Sequence, residues 1–225
     1  MDKNKIVERM LHTVGGLHVR EKADGTQSRT ITGYAILFNT PSAVLWSWDD
    51  EDEREIIEPG AVTQDLLDAC DIKMTMFHDR QLILARSKQG QGTLTYKVDE
   101  KGVSFEFEAP MTAEGDKALE SVRRGDIDGC SFAFRTHYYD RAFVEPTTTI
   151  DAEGKKTITY HVKTITDIRD FTLTADPAYP DTTCEASQRE LFSSLRELSK
   201  PAPADTTKID EQVRDMQERA KLNWR

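Results

Sequence analysis

The sequence predicts an α+β fold built mainly from antiparallel strands. Runs rich in β-branched and aromatic residues recur between Thr30 and Thr174, turn residues separate them, and two short apolar periods of helical spacing lie among them. With 225 residues, 37% hydrophobic and 31% charged, the chain is polar yet carries enough apolar residues to fold, and its length suits one domain plus an appendage or two small domains.

The first strand runs from Thr30 to Phe38 and stops at Asn39-Thr-Pro41, which is turn chemistry. Trp46 to Arg54 is acidic and lacks an apolar period, so it reads as an exposed loop ahead of Ile56 and Ile57. Glu58-Pro-Gly60 breaks the chain, and Val62, Asp65, Leu66 and Ala69 then repeat at helical spacing up to Cys70. Ile72, Met74, Met76 and His78 fall on one face of a period-2 strand, which places His78 at its end and Asp79 on the opposite face.

Strand signals continue over Leu82 to Arg86 and Thr93 to Val98, and a turn at Asp99 to Gly102 leads into the alternating Val103 to Glu108. Thr112 is placed to cap a helix through Ala118, Leu119 and Val122 that ends on Arg123-Arg124 and Gly125. Gly129 to Arg135 reads as a buried strand with Ser131, Ala133 and Arg135 on one face and Cys130, Phe132 and Phe134 on the other. A polar hairpin around Asp151 to Gly154 precedes two further strands, Thr157 to Val162 and Ile165 to Thr174. Beyond Asp181 the composition changes. Leu191, Leu195 and Leu198 recur in a helical segment, Lys200 to Ala204 is a Pro/Ala linker, and Ile209 to Trp224 is charged and expected to be helical. The organisation is therefore an N-terminal segment 1–29, a domain 30–185 and a helical and linker tail 186–225.

Thirty basic against forty acidic residues give a net charge of −10, which disfavours a nucleic-acid or anionic-membrane partner. No apolar run reaches the ~20 residues of a membrane span, and the N-terminus lacks the core of a secretory signal, so a soluble intracellular protein is expected. Cys70, Cys130 and Cys184 are odd in number and show no CxxC spacing, as suits a reducing compartment. His12, His18, His78, His137 and His161 show neither HxxxH nor HExxH spacing, and no phosphate-binding glycine loop is present. Neither metal nor cofactor is expected.

What remains is a nucleophile search, and there is no GxSxG elbow. Ser131 lies among bulky apolar residues in its strand; on local pattern alone it fits a small buried serine bonded to a backbone carbonyl. His78 alone fits a structural hydrogen-bonding residue. Asp170 is an unusual carboxylate in Ile168-Arg-Asp-Phe-Thr-Leu173. Alternation puts it on one face with Ile168, Thr172 and Thr174, and an ion pair with Arg135 or Arg169 would account for it.

Taken together, Gly33 to Asn39, Ile57 to Val62, Met76-Phe-His-Asp79, Gly92 to Leu94, Asp99 to Phe107, Arg124 to Phe134 and Ile168 to Thr182 resemble the prohead proteases of tailed phages, in that family's order. The resemblance implies a fold related to the herpesvirus assembly protease, a β-barrel-like core surrounded by helices. It also implies a serine endopeptidase with Ser131 as nucleophile, matching the family's "SF" motif, and His78 as base, matching its "HD" motif. The family commonly carries a glutamate before its last strand where this chain has Asp170, so Asp170 or His161 is left to orient the histidine. The oxyanion donors are expected after the nucleophile or around Arg135 to His137. Implied partners are the scaffold, the major capsid protein and the portal, inside the immature prohead in the bacterial host cytoplasm. Self-cleavage between Lys200 and Thr207 and a homodimer like that of the distant viral relatives are further expectations. The competing expectation is a catalytically silent capsid-assembly protein of the same fold.

Overall fold

The computed structural model describes residues 6–14, 17–21, 27–48 and 50–175. The chain divides into two compact units, Met1–Pro180 and Asp181–Arg225, and all described residues belong to the first. The expected helical tail lies outside the described residues.

In chain order the strands are β1 (Val7–Val14), β2 (His18–Glu21), β3 (Gln27–Leu37), β4 (Trp46–Trp48) and β5 (Glu51–Ile57), followed by helix α1 (Gln64–Ala69). Then come β6 (Asp71–Met76), β7 (Asp79–Lys88), β8 (Gln91–Gly92), β9 (Leu94–Val98), β10 (Gly102–Glu108) and helix α2 (Ala113–Arg124). The last are β11 (Gly129–Thr136), β12 (Val144–Ile150), β13 (Lys156–Val162) and β14 (Asp167–Thr174). They form a six-stranded sheet in the order β1-β11-β14-β6-β7-β8 and two four-stranded sheets, β2-β3-β10-β9 and β12-β13-β5-β4.

This corrects the expected barrel-like core with surrounding helices. The described residues form three open sheets and two helices of 6 and 12 residues. None of the three sheets closes on itself, and two of the edges are blunted by very short strands, the two-residue β8 and the three-residue β4. The pairing is also mixed, because β14–β6 and β13–β5 run parallel. The core lies between the large sheet and the β2-β3-β10-β9 sheet, where Phe105 meets Phe171 at 6.4 Å between ring centroids and Phe132 stacks with Phe134 at 5.3 Å. All four are 2% exposed or less. Each fully buried phenylalanine stabilises the fold by about 1.5–3 kcal/mol.

Helix α2 follows the sequence rules. Thr112 accepts the Gly115 N–H at 3.2 Å as N-cap, and Gly125 ends the helix with φ 76°, a conformation that favours glycine. Gly115, Ala118, Leu119 and Val122 form its buried stripe.

Two further departures matter. β1 and β2 lie before residue 30 and join the large and the β2-β3-β10-β9 sheets, respectively. The expected acidic loop over Trp46 to Arg54 is instead β4 and β5, in which Glu51, Glu53 and Glu55 point inward while Asp52 and Arg54 point outward. Period-2 alternation is present, but it alternates buried carboxylates with outer charges and carries no apolar signal. Glu55 accepts from Arg9 Nε at 2.9 Å, from Arg9 Nη2 at 2.6 Å and from the Tyr138 hydroxyl, while Lys156 reaches Glu51 at 2.6 Å. Burial lowers the pKa of the Arg9 guanidinium, but Glu55 and Tyr138 more than offset this and the net direction is up. Burial, reinforced by Glu55, holds the Tyr138 phenol well above its ordinary range, so it remains a donor.

Candidate active site

The large sheet has two unlike faces. On β11, Phe132 and Phe134 face the core, and Ser131 and Ala133 face the other way. β14 follows with Phe171 and Leu173 inward and Asp170 and Thr172 beside Ala133 and Ser131. The register slips between Ala133 and Phe134, leaving Arg169 as an extra residue on β14. That bulge sends Ile168 to the phenylalanine face opposite Phe134 and separates it from Asp170, where simple alternation had put the two together. β6 continues the row in parallel, with Thr75 opposite Thr172.

His78 is not on a strand. Met76 pairs with Asp79, so Phe77 and His78 form a two-residue hairpin turn, both with positive φ (54° and 56°). Paired positive φ is the turn that matches strand twist, but for residues other than glycine it costs about 1–2 kcal/mol each. β14 anchors the turn: Phe77 N–H donates to the Leu173 carbonyl at 3.1 Å and His78 N–H to Thr172 Oγ1 at 2.8 Å. Net stabilisation of about 0.5–1.5 kcal/mol per neutral hydrogen bond offsets part of that strain. Asp79 Oδ1 accepts the Gln81 N–H at 2.8 Å and serves the hairpin locally.

From this turn the imidazole reaches both partners. His78 Nδ1 lies 2.7 Å from Asp170 Oδ1, and Nε2 lies 2.9 Å from Ser131 Oγ. A carboxylate only accepts, so Nδ1 carries the proton and Nε2 presents its lone pair to the Ser131 hydroxyl. The His78 side chain is 17% exposed and that of Asp170 3%, whereas Ser131 is fully buried. The alternative orienting residue is elsewhere: His161 Nδ1 bonds Glu58 Oε1 at 2.6 Å and Nε2 bonds Thr147 Oγ1 at 3.0 Å, in a groove also lined by Glu145 and Lys163. Nor is Asp170 matched to an arginine. Arg135 pairs with Glu8 at 3.1 Å and Arg169 with Asp167 at 3.3 Å.

Cys130, next to Ser131 but on the core face, has its thiol pushed well up by burial and stays protonated. The expected oxyanion donors meet an obstacle. β11 is an interior strand, so the backbone N–H groups after Ser131 are committed to ladders with β1 and β14, and Arg135 is four residues, about 13 Å, further along. Among the described residues no group of three or more His, Cys, Asp or Glu side chains is arranged to hold a metal. Thr172 and Thr75 were not expected as parts of the site. The available signal was a run of hydroxyls alternating with apolar residues on the strand that carries a buried carboxylate.

A serine, a histidine and a carboxylate in one hydrogen-bonded row define the class of serine hydrolases by geometry. The profile of the caudovirus prohead serine protease family matches residues 16–196, and the chain belongs to that family. No curated protein sequence matches it. A solved structure, the capsid assembly protease of bacteriophage T4, aligns at 10% identity over 73% of this chain and 97% of that one, with a TM-score of 0.36. No helix among the described residues is long and apolar enough to cross a membrane.

Proposed function

We propose that the chain is a serine endopeptidase of phage head maturation that works through Ser131, His78 and Asp170. The supporting observation is that a single imidazole is hydrogen-bonded to both other side chains. Ser131 Oγ attacks the scissile carbonyl as its proton passes to His78 Nε2, and Asp170 stabilises the imidazolium through Nδ1–H. The same proton then goes to the departing amine, and water repeats the cycle on the acyl-enzyme to free Ser131. Family membership points to the scaffold, or a scaffold-like segment of the major capsid protein, as substrate inside the prohead in the host cytoplasm. The portal is a further partner, and self-cleavage falls between Lys200 and Thr207.

One observation favours a second reading, a catalytically silent capsid-assembly protein: Ser131 has no exposure, so a substrate reaches it only after something moves. Co-expression with the scaffold and major capsid protein, followed by intact mass spectrometry, separates the two. Defined fragments that vanish with Ser131→Ala establish the protease. Uncut partners with both chains, in assembled shells, establish the silent protein.

A further inference from the structure

Given the serine protease reading above, we infer that Thr172 is a positioning residue that fixes the direction of the His78 imidazole. A two-residue hairpin turn leaves the N–H groups of its central residues without partners inside the hairpin, and here β14 takes both. The one at His78 goes to a side chain, the Thr172 hydroxyl, which is fully buried. That hydroxyl is itself held, because Thr75 Oγ1 donates to it at 2.9 Å and Thr75 is also fully buried. Thr172 stands opposite Ser131 on one side and Thr75 on the other, so a transverse row of three hydroxyls crosses β11, β14 and β6 beneath the histidine.

β14 therefore grips His78 twice. Asp170 holds the ring at Nδ1 and Thr172, two residues later on the same face, holds the backbone. Because His78 has a positive φ, its Cα–Cβ direction depends on the turn keeping a conformation that non-glycine residues rarely adopt. Without the Thr172 acceptor the turn can relax toward ordinary φ values, and the imidazole then swings away from Ser131 while its chemistry is unchanged. Thr172 touches neither substrate nor reacting atoms in this role. Its contribution is geometric, and an error of about 1 Å at a catalytic group costs on the order of 100-fold in rate.

The test compares the full chain with Thr172→Val, which keeps the shape and removes the hydroxyl, and Thr172→Ser, which restores it. Backbone and imidazole ¹⁵N spectra, His78 amide exchange, thermal midpoints and the cleavage rate of co-expressed scaffold and capsid protein are measured on each. Thr172→Val is expected to fold, to speed His78 amide exchange about tenfold or more, and to slow cleavage on the order of 10–100-fold. Thr172→Ser should recover both readouts. Thr75→Val, which removes only the donor to Thr172, should shift them in the same direction and by less, and it decides the matter if Thr172→Val does not fold. Unchanged His78 exchange and ring shifts in Thr172→Val, or no recovery with Thr172→Ser, overturn the inference. If wild type cleaves nothing, the protease reading falls, while the exchange and ring-nitrogen spectra still decide whether Thr172 holds His78.

Discussion

Two rows of buried polar side chains can be compared directly. Ser131, Thr172 and Thr75 cross the large sheet from strand to strand, whereas Glu51, Glu53 and Glu55 run along one strand, β5. The first row is neutral and lies beside the hydrogen-bonded pair of His78 and Asp170. The second is charged: Arg9 and Tyr138 hold Glu55, and Lys156 holds Glu51. Hydroxyls can be buried by bonding one another, so that row is free to serve geometry. Buried carboxylates demand counter-charges, and that row ties β1 to β5 across two sheets. The two rows should therefore fail differently, one losing rate and the other losing stability.

The largest effect expected is on rate. Ser131→Ala should lower cleavage by about 10⁶-fold with the thermal midpoint unmoved, and Asp170→Asn by about 10⁴-fold through the wrong imidazole tautomer. A midpoint that collapses in either variant would erase the distinction between the rows. Next comes Glu55→Ala, which leaves the buried Arg9 unpaired and should cost about 3–5 kcal/mol in urea unfolding, with cleavage per folded molecule unchanged. Thr112→Ala, in neither row, removes an N-cap and should cost about 1 kcal/mol.

The smallest effect is acid sensitivity outside both rows. Arg86 beside Asp71, and the Tyr34 hydroxyl on Asp99, hold these carboxyls below the ordinary range. In the window between the folded values and about pH 4 the unfolded chain binds more protons, so stability rises with pH there and is lost as pH falls. Thermal midpoints of Asp71→Asn and Asp99→Asn should depend less on pH below 4 than that of the wild type. His161→Ala should leave kcat at the wild-type value, since its ring belongs to the Glu58 and Thr147 groove.

The difference between the rows also explains what the sequence made legible. Ser131, His78 and Asp170 could be named because their types and contexts match a known order of motifs, and the structure brings all three together. The strands expected over Thr30 to Phe38, Thr93 to Val98 and Val103 to Glu108 fall on β3, β9 and β10, and together with helix α2 they follow from apolar period and caps. β5 was hidden because its inward residues are glutamates, and the partners of Glu55 lie 46 and 83 residues away at Arg9 and Tyr138. The hairpin at Phe77 and His78 was hidden because it uses no glycine or asparagine, so period-2 reading ran straight through it. Parallel pairing and the bulge at Arg169 have no local signature, and with them went the layout of the sheets and the company Ile168 keeps.

The separation of β6, β11 and β14 along the chain sets an order of events during synthesis. His78 leaves the ribosome first, Ser131 follows 53 residues later, and the strand that orients the histidine through Asp170 and Thr172 comes 92 to 94 residues after it. β14 lies between β11, which carries Ser131, and β6, which leads into the hairpin turn at His78. A chain that ends before Asp170 lacks both the carboxylate and the hydroxyl that hold His78, so on the function proposed above cleavage waits until that strand lies in the middle of the sheet.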